Sequence, residues 1–163
     1  MLDDDIGEVS LPPGYILTRL GLNDANDLSS LYNAAFGFDF QTPQWTIKEM
    51  LNNPEVKAVY GIKCGGKLVA TAAIHVVPKL YGDTPELHWV ASHPDYRGQG
   101  LGKAIVLHTL HEMKQMGFKD VLLITQPERL PAIKLYLSLG FVPEVKNDEE
   151  KQLWDEIHKK LGN

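Results

Sequence analysis

Cysteine, excess positive charge and long apolar runs are all scarce in this chain of 163 residues. Its one cysteine, Cys64, excludes an intramolecular disulfide and agrees with a reducing compartment. The net charge of −5 offers no basic field to nucleic acid or anionic lipid. No apolar run approaches the ~20 residues that cross a bilayer, and the acidic start MLDDD lacks the features of a signal peptide. We therefore expect a cytoplasmic protein without nucleic-acid or membrane partners.

The apolar patterns predict a single domain that mixes helices and strands. Strands are predicted over residues 15–20, 56–64, 67–77, 86–92, 121–125 and 141–145. Helices are predicted over residues 23–36, 102–116, 131–139 and 148–161. Thr46 and Glu49 form a capping box that predicts the start of one more helix. Gly65-Gly66 predicts a hairpin turn between the second and third strands.

This order of elements predicts an α/β fold of the α+β kind. We expect a mixed, mostly antiparallel sheet flanked by helices on both faces. Residues 1–13 are predicted to be a loose acidic arm and residues 14–147 the main domain. The last helix, in residues 148–163, is expected to pack on the same domain.

A glycine-rich turn between the strand 86–92 and the helix 102–116 is the most informative segment. It reads HPDYRGQGLGK, with alternate glycines from Gly98 to Gly102 and with Arg97 and Lys103 adding positive charge. Glycine lets a backbone approach a ligand closely, and the first N–H groups of a helix have no internal partner and favour an anion. The turn therefore predicts a cradle for a diphosphate, although a merely flexible turn accounts equally well for the alternating glycines alone.

Two other phosphate-binding motifs do not fit this spacing. A P-loop needs four residues between its first glycine and its Gly-Lys pair, then Ser or Thr. Here three residues follow Gly98 before that pair, and Ala104 comes next. The dinucleotide fingerprint G-x-G-x-x-G belongs to an early strand–turn–helix unit, whereas this G-x-G-x-G lies past mid-chain. An unrelated nucleotide-binding protein is therefore disfavoured.

Two segments in order resemble the GNAT N-acetyltransferase superfamily. Arg97-x-x-Gly100-x-Gly102 resembles its coenzyme A signature, and the apolar strand 87–94 leads into it as in that family. About 30 residues later, the segment AIKLYLSLGF at 132–141 resembles the closing Ala, Leu-Tyr and Gly-Phe pattern. The resemblance implies an enzyme that moves an acetyl group from acetyl-CoA to a primary amine by direct attack on the thioester. A non-catalytic acyl-CoA-binding or sensing module on the same fold is the alternative.

The resemblance also implies which residues bind coenzyme A. In that family the strand before the turn bulges and splays, and the pantetheine arm pairs with its backbone. Carried over, pantetheine would bind the backbone of Val90, Ala91 and Ser92, where a main-chain N–H near Val90 would polarise the thioester carbonyl. Arg97 would contribute charge, and Arg129, which replaces a common asparagine, is assigned to a coenzyme A phosphate. The diphosphate would be held by the amides of Gly98, Gln99, Gly100, Leu101, Gly102 and Lys103. The resemblance implies no metal.

The catalytic base is left open between two residues and solvent. Alternation predicts that Glu86, His88, Val90 and Ser92 share one face of their strand. Glu86 lies eleven residues before Arg97, where histone acetyltransferases of this family carry a catalytic glutamate. His88 lies nine residues before it, where serotonin N-acetyltransferase has a catalytic histidine. Imidazole changes charge near neutral pH, whereas a carboxyl group needs burial to raise its pKa that far.

The acid and the acceptor are predicted with less detail. Tyr136 aligns with the family tyrosine near the coenzyme A sulfur and is expected to protonate the departing thiolate. A tyrosine that only fills the core is the alternative. The acceptor is expected to be a small-molecule amine or a protein amino group, and a homodimer is possible as in many relatives.

Several other residues are interpreted as structural. His75 and Cys64 are predicted to be strand residues without chemistry. His108, His111 and Glu112 are predicted to lie on a solvated helix face. Four aromatic residues fit either plain core or an acceptor pocket: Phe36, Phe38, Phe40 and Trp45.

Overall fold

The computed structural model describes Leu2 and residues 5–162. Four strands form one antiparallel sheet in the order β1-β2-β3-β4: β1 (Tyr15–Arg19), β2 (Val56–Cys64), β3 (Lys67–His75) and β4 (Glu86–Ser92). The helices of the described part are α1 (Ala25–Phe36), α2 (Pro43–Thr46), α3 (Pro78–Tyr81), α4 (Leu101–Gln115), α5 (Leu130–Ser138) and α6 (Asp148–Leu161). Residues up to Leu123 form one compact unit, and residues from Ile124 form a second. Within the described residues, no helix has the length and apolarity needed to cross a bilayer.

In the first unit, α1 and α4 cover opposite faces of the sheet. Val59 of β2 is buried in a cluster with Leu28 and Leu31 of α1. The next residue, Tyr60, donates a hydrogen bond from its hydroxyl to Glu112 of α4 at 3.0 Å. Because neighbouring residues of a strand point to opposite faces, the two helices lie on opposite sides. The predicted α/β architecture, with a mostly antiparallel sheet and helices on both faces, is confirmed.

The two predicted strands after α4 do not form. In the first of them Leu122 makes one isolated parallel bridge with Glu86, through hydrogen bonds of 2.8 and 3.0 Å. The run then leaves the sheet, and Ile124 is 66% exposed. Residues 141–146 have no regular structure, and Val142 is 85% exposed. Apolar composition favours a strand only where a neighbour supplies a hydrogen-bonding ladder, and for these runs that ladder is missing or ends after one bridge.

The start of α2 also differs from the prediction. Thr42 is its N-cap, since the Thr42 side chain accepts a hydrogen bond from the Trp45 N–H at 3.2 Å. Pro43 occupies the first helical position, which suits its fixed φ. Thr46 is buried within the helix, and its hydroxyl has no hydrogen-bond partner among the described residues. A π-type turn at Ile47–Leu51 continues the helix.

The acidic arm lies along α4 and is not loose where it is described. The Leu2 N–H donates to the Lys119 carbonyl at 2.7 Å, and Leu2 is buried. His111 donates from Nε2 to the Gly7 carbonyl at 2.7 Å. The ring of His108 packs edge-on against Tyr60 at 4.7 Å. The prediction of a solvated face for His108, His111 and Glu112 is therefore wrong, because the arm and β2 partly cover that face.

Replacing Gly61 with alanine should destabilise the protein by overpacking its core. A Cβ at Gly61 would lie 2.5 Å from a Leu68 methyl and 2.9 Å from a Leu20 methyl, and both leucines are buried. We expect G61A to lower the free energy of unfolding by about 1–3 kcal/mol in a urea titration. In an L68A background the added methyl has room, so G61A should cost less there. An unchanged urea midpoint for the single variant would contradict this account.

Candidate active site

Strand β4 contains a bulge at its centre. His88 pairs with Ala73 and Ala91 pairs with Thr71, so that one residue of β3 faces two residues of β4 between these pairs. Within the bulge Trp89 has φ 49°, and it is the one residue other than glycine with positive φ among those described. Such a conformation is costly for a large side chain and is typical of functional sites. The bulge implied by the family resemblance is therefore present.

The bulge changes which side chains share a face. Glu86 and His88 lie on the face covered by α1, because His88 is opposite Ala73 of the α1 cluster. Ala91 also belongs to that cluster, since the bulge shifts the alternation by one residue. Val90 and Ser92 therefore point to the opposite face. The prediction that strict alternation groups them with Glu86 and His88 is wrong.

Glu86 is held between two histidines. His88 Nδ1 lies 3.0 Å from Glu86 Oε1, and His75 Nδ1 lies 3.1 Å from Glu86 Oε2. The two imidazole rings are 4.3 Å apart, centre to centre. Burial by itself raises the pKa of the Glu86 carboxyl, but the hydrogen bonds and charges of His88, and then of His75, outweigh burial and lower that pKa below its usual range. Glu86 is thus a fixed carboxylate that accepts from both rings.

Sequence reasoning missed His75. It is the cross-strand neighbour of Glu86, and its Nε2 lies 3.8 Å from a carboxylate oxygen of Glu55. The Gly65-Gly66 turn sets the register of β2 on β3, but the register of β3 on β4 depends on the bulge. No local pattern in the sequence pointed to this pair.

An aromatic surface adjoins the histidine pair. The Trp89 ring packs against Tyr32 at 4.7 Å, Trp45 at 5.0 Å and Phe36 at 5.4 Å. From Phe36 the chain of ring contacts continues to Phe38 at 5.6 Å and from Phe38 to Phe40 at 4.7 Å. Phe40 is 63% exposed, so it is not plain core. The aromatic surface, consisting of Phe36, Phe38, Phe40, Trp45 and Trp89, thus runs from beside His88 to solvent.

The glycine turn presents an open backbone at the start of α4. Gly98 and Gly100 both have φ 77°, which favours glycine, and Gly100 is the N-cap of the helix. The first intrahelical hydrogen bond runs from Ala104 to the Gly100 carbonyl, which leaves the amides of residues 101–103 without helical partners. A Cβ at Gly98 or Gly100 would meet no atom within 4 Å. The turn therefore has both the donors and the space that a diphosphate requires.

A cavity of about 370 Å³ lies beside this turn. The arm supplies one wall and the turn supplies Gln99, Gly100 and Lys103. The hydroxyl of Tyr15 donates to the Gln99 side chain and ties β1 to the turn. Arg97 and Lys103 are exposed at this end of the molecule. The site therefore combines positive side chains with the N-terminus of a fifteen-residue helix.

Tyr136 and Arg129 belong to the second unit. Tyr136 of α5 is buried, and its ring meets Phe141 edge-on at 5.8 Å. Burial raises the pKa of the Tyr136 phenol, and the charge of Arg129 acts in the opposite direction. Arg129 precedes α5, and its N–H donates to the Gln126 carbonyl at 3.0 Å. The roles assigned to these two residues stay predictions.

A bulged strand leads through a glycine turn into a helix N-terminus, as the family resemblance implied, and comparison with known proteins agrees. The profile of the Acetyltransferase (GNAT) family matches residues 25–141. The chain belongs to this family.

Three relatives illustrate the match. A mycothiol acetyltransferase of Nocardia farcinica is 29% identical over 148 residues, which cover 83% of this chain and 48% of that protein. The crystal structure of the ribosomal-protein-S18-alanine N-acetyltransferase of Escherichia coli has TM-score 0.68 at 26% identity, covering 80% of this chain and 79% of that one. The structure of an aminoglycoside N-acetyltransferase in complex with CoA has TM-score 0.67 at 15% identity, covering 82% of this chain and 91% of that one. At this low identity the match supports the fold alone. The chain spans about half the length of the Nocardia relative.

Proposed function

We propose that this protein is an N-acetyltransferase, which moves an acetyl group from acetyl-CoA to a primary amine by direct attack on the thioester carbonyl. The observation that carries the proposal is the open glycine turn at the N-terminus of α4, directly after the bulged strand β4. Membership of the GNAT family supports the same reaction class.

Coenzyme A would be held mainly by backbone. The amides from Gly98 to Lys103 would bind the diphosphate, with Arg97 and Lys103 adding charge. The backbone of β4 from Val90 to Ser92 would bind the pantetheine arm, because a bulge interrupts the regular ladder there. An N–H near Val90 would stabilise the oxyanion that develops as the amine attacks.

His88 is the base in this proposal, and Glu86 orients it. An ionised carboxylate only accepts hydrogen bonds, so the Nδ1 of His88 must donate to Glu86. The Nε2 of the neutral ring then carries the lone pair and can take a proton from the attacking amine. Glu86 itself is a poor base because its lowered pKa disfavours protonation.

Tyr136 is the acid in this proposal. Burial keeps its phenol protonated by raising its pKa, so the group is ready to donate a proton to the departing thiolate. We expect Y136F to lower kcat about 100-fold, near the low end for general acid catalysis. The Kd for acetyl-CoA should stay within about twofold, since the phenol contributes to the chemical step. Y81F, on α3 in the first unit, is the matched control, and an unchanged kcat for Y136F would remove Tyr136 from the mechanism.

The acceptor is proposed to carry its amine on a partly apolar stem. The aromatic surface lies beside His88, and apolar contact there would place an amine near the Nε2. A peptide with an amino-terminal alanine fits this description better than an amino sugar does. Both classes occur as acceptors in the names of the relatives.

The test is acetyl transfer to a panel of amines. The purified chain is incubated with acetyl-CoA and alanyl peptides, aminoglycosides or simple alkylamines, and the acetylated amine is measured by mass spectrometry. Transfer to at least one amine is the expected result. Tight acetyl-CoA binding without transfer to any of them would favour the acyl-CoA-sensing alternative.

A further inference from the structure

We propose that His75, Glu86 and His88 form a binding site for a divalent transition-metal ion of the zinc type. The three side chains come from the paired strands β3 and β4, and their candidate ligand atoms all lie within 4.8 Å of one another. Two imidazoles and one carboxylate are a ligand set that suits zinc. The family resemblance implies no such site.

The hydrogen-bonded arrangement is close to what a metal would need. The Nδ1 atoms of His88 and His75 lie 3.0 and 3.1 Å from the oxygens of Glu86. Tetrahedral zinc with bonds of about 2.0–2.1 Å keeps its ligand atoms about 3.4 Å apart. The two contacts between Nδ1 and oxygen would lengthen by a few tenths of an ångström to admit the ion. The candidate ligand atoms, which lie within 4.8 Å of one another, would reach that spacing by side-chain adjustments of at most about 1.4 Å.

Glu55 lies near one of the imidazoles, just beyond hydrogen-bond distance. When Nδ1 of a neutral histidine binds a metal, the ring proton resides on Nε2. The Nε2 of His75 lies 3.8 Å from Glu55 Oε2, so that proton faces a carboxylate. Carboxylates that accept from the far nitrogen of a metal-bound histidine orient the ring and strengthen binding. Three ligands would leave a fourth position for water.

The ion would inhibit acetyl transfer, and this part rests on the proposed function. Metal binding at Nδ1 of His88 moves the ring proton to Nε2, the atom proposed to take the proton of the amine. The base is then no longer able to accept. The ion also occupies the space between His88 and the carboxylate that orients it.

Titration calorimetry with zinc chloride tests the site directly. The full chain is used without a histidine tag, and one ion per chain is the expected stoichiometry. We expect H75Q and H88Q each to bind zinc more than about 100-fold more weakly, beyond the usual effect of losing an outer partner. C64S and H108Q are matched controls that should bind zinc like the wild type. C64S removes the lone thiol, and H108Q removes the histidine of the His108–Glu112 pair on α4.

Two results would overturn the site. One is absence of stoichiometric zinc binding by the wild type, which needs no variant to fold. The other is binding that H75Q and H88Q leave unchanged, or that H108Q or C64S abolishes. Thermal unfolding provides a second readout, because zinc should raise the Tm of the wild type and not that of H75Q.

Acetyl transfer measured with and without zinc separates this proposal from the proposed function. Zinc should reduce the rate of the wild type, and it should reduce the rate of H75Q much less relative to that variant's own zinc-free rate. Zinc binding by a protein that acetylates no amine would leave the site intact and refute the enzyme. Acetyl transfer by a protein that binds no zinc would support the enzyme and refute the zinc site.

Discussion

Replacing Gly100 with valine is expected to weaken acetyl-CoA binding by at least about 100-fold, because at least two charge-assisted hydrogen bonds worth roughly 1.5–3 kcal/mol each would be lost. Gly100 is the N-cap of α4 and has φ 77°. A Cβ there would enter space that no protein atom occupies within 4 Å, and a diphosphate bound to the turn would need that space. Calorimetry with acetyl-CoA measures the loss.

A matched control separates ligand contact from backbone strain. Gly117, just past the C-terminal end of α4, has φ 90°, and a Cβ there would also meet nothing within 4 Å. Both G100V and G117V force valine into a left-handed conformation at a cost of roughly 1–3 kcal/mol. G117V should nevertheless bind acetyl-CoA like the wild type. Equal affinity of the two variants would contradict a role for the turn in binding.

The second large effect is expected from H88Q, which should lower kcat about 10²–10⁴-fold. Glutamine retains a donor towards Glu86 but has no basic nitrogen with which to take a proton from the amine. The Kd for acetyl-CoA should change little, because His88 is not among the residues proposed to bind coenzyme A. The difference in kcat between H88Q and the wild type should become smaller as the pH is raised, because a larger fraction of the acceptor amine is then already deprotonated in solution.

The pH series distinguishes a base from a residue that only packs. A merely structural effect would lower the rate by the same factor at every pH. E86Q should cause a smaller loss than H88Q, because an amide can still accept from Nδ1 but lacks the charge. H158Q, on α6, is the matched control because it removes a histidine outside the proposed site. A larger loss for E86Q than for H88Q would make Glu86 the base instead.

Much of the fold could be predicted because its signals are local. The glycines of the hairpin and the apolar stripe of α4 each depend on a few neighbouring residues. The predicted strand 86–92 coincides with β4, and the hairpin has its turn at Gly65-Gly66 as predicted. The predicted strands 121–125 and 141–145 failed because a strand also needs a partner, and apolar composition does not specify one.

The candidate site was predictable only in part for a related reason. The glycine turn has a sequence signature, so its position and open backbone could be anticipated from Gly98 and Gly100. The bulge at Trp89 changes the facing of Val90 and Ser92, and only the pairing of β3 with β4 reveals how. The same pairing brings His75 to Glu86 across the sheet.

In the proposed complex, backbone amides at the start of α4 hold the diphosphate of coenzyme A. Amide chemical shifts of the wild-type protein, recorded by NMR during a titration with coenzyme A, test it most directly. We expect the largest changes on the amides from Gly98 to Lys103. Binding that leaves those amides unchanged while others shift would contradict it.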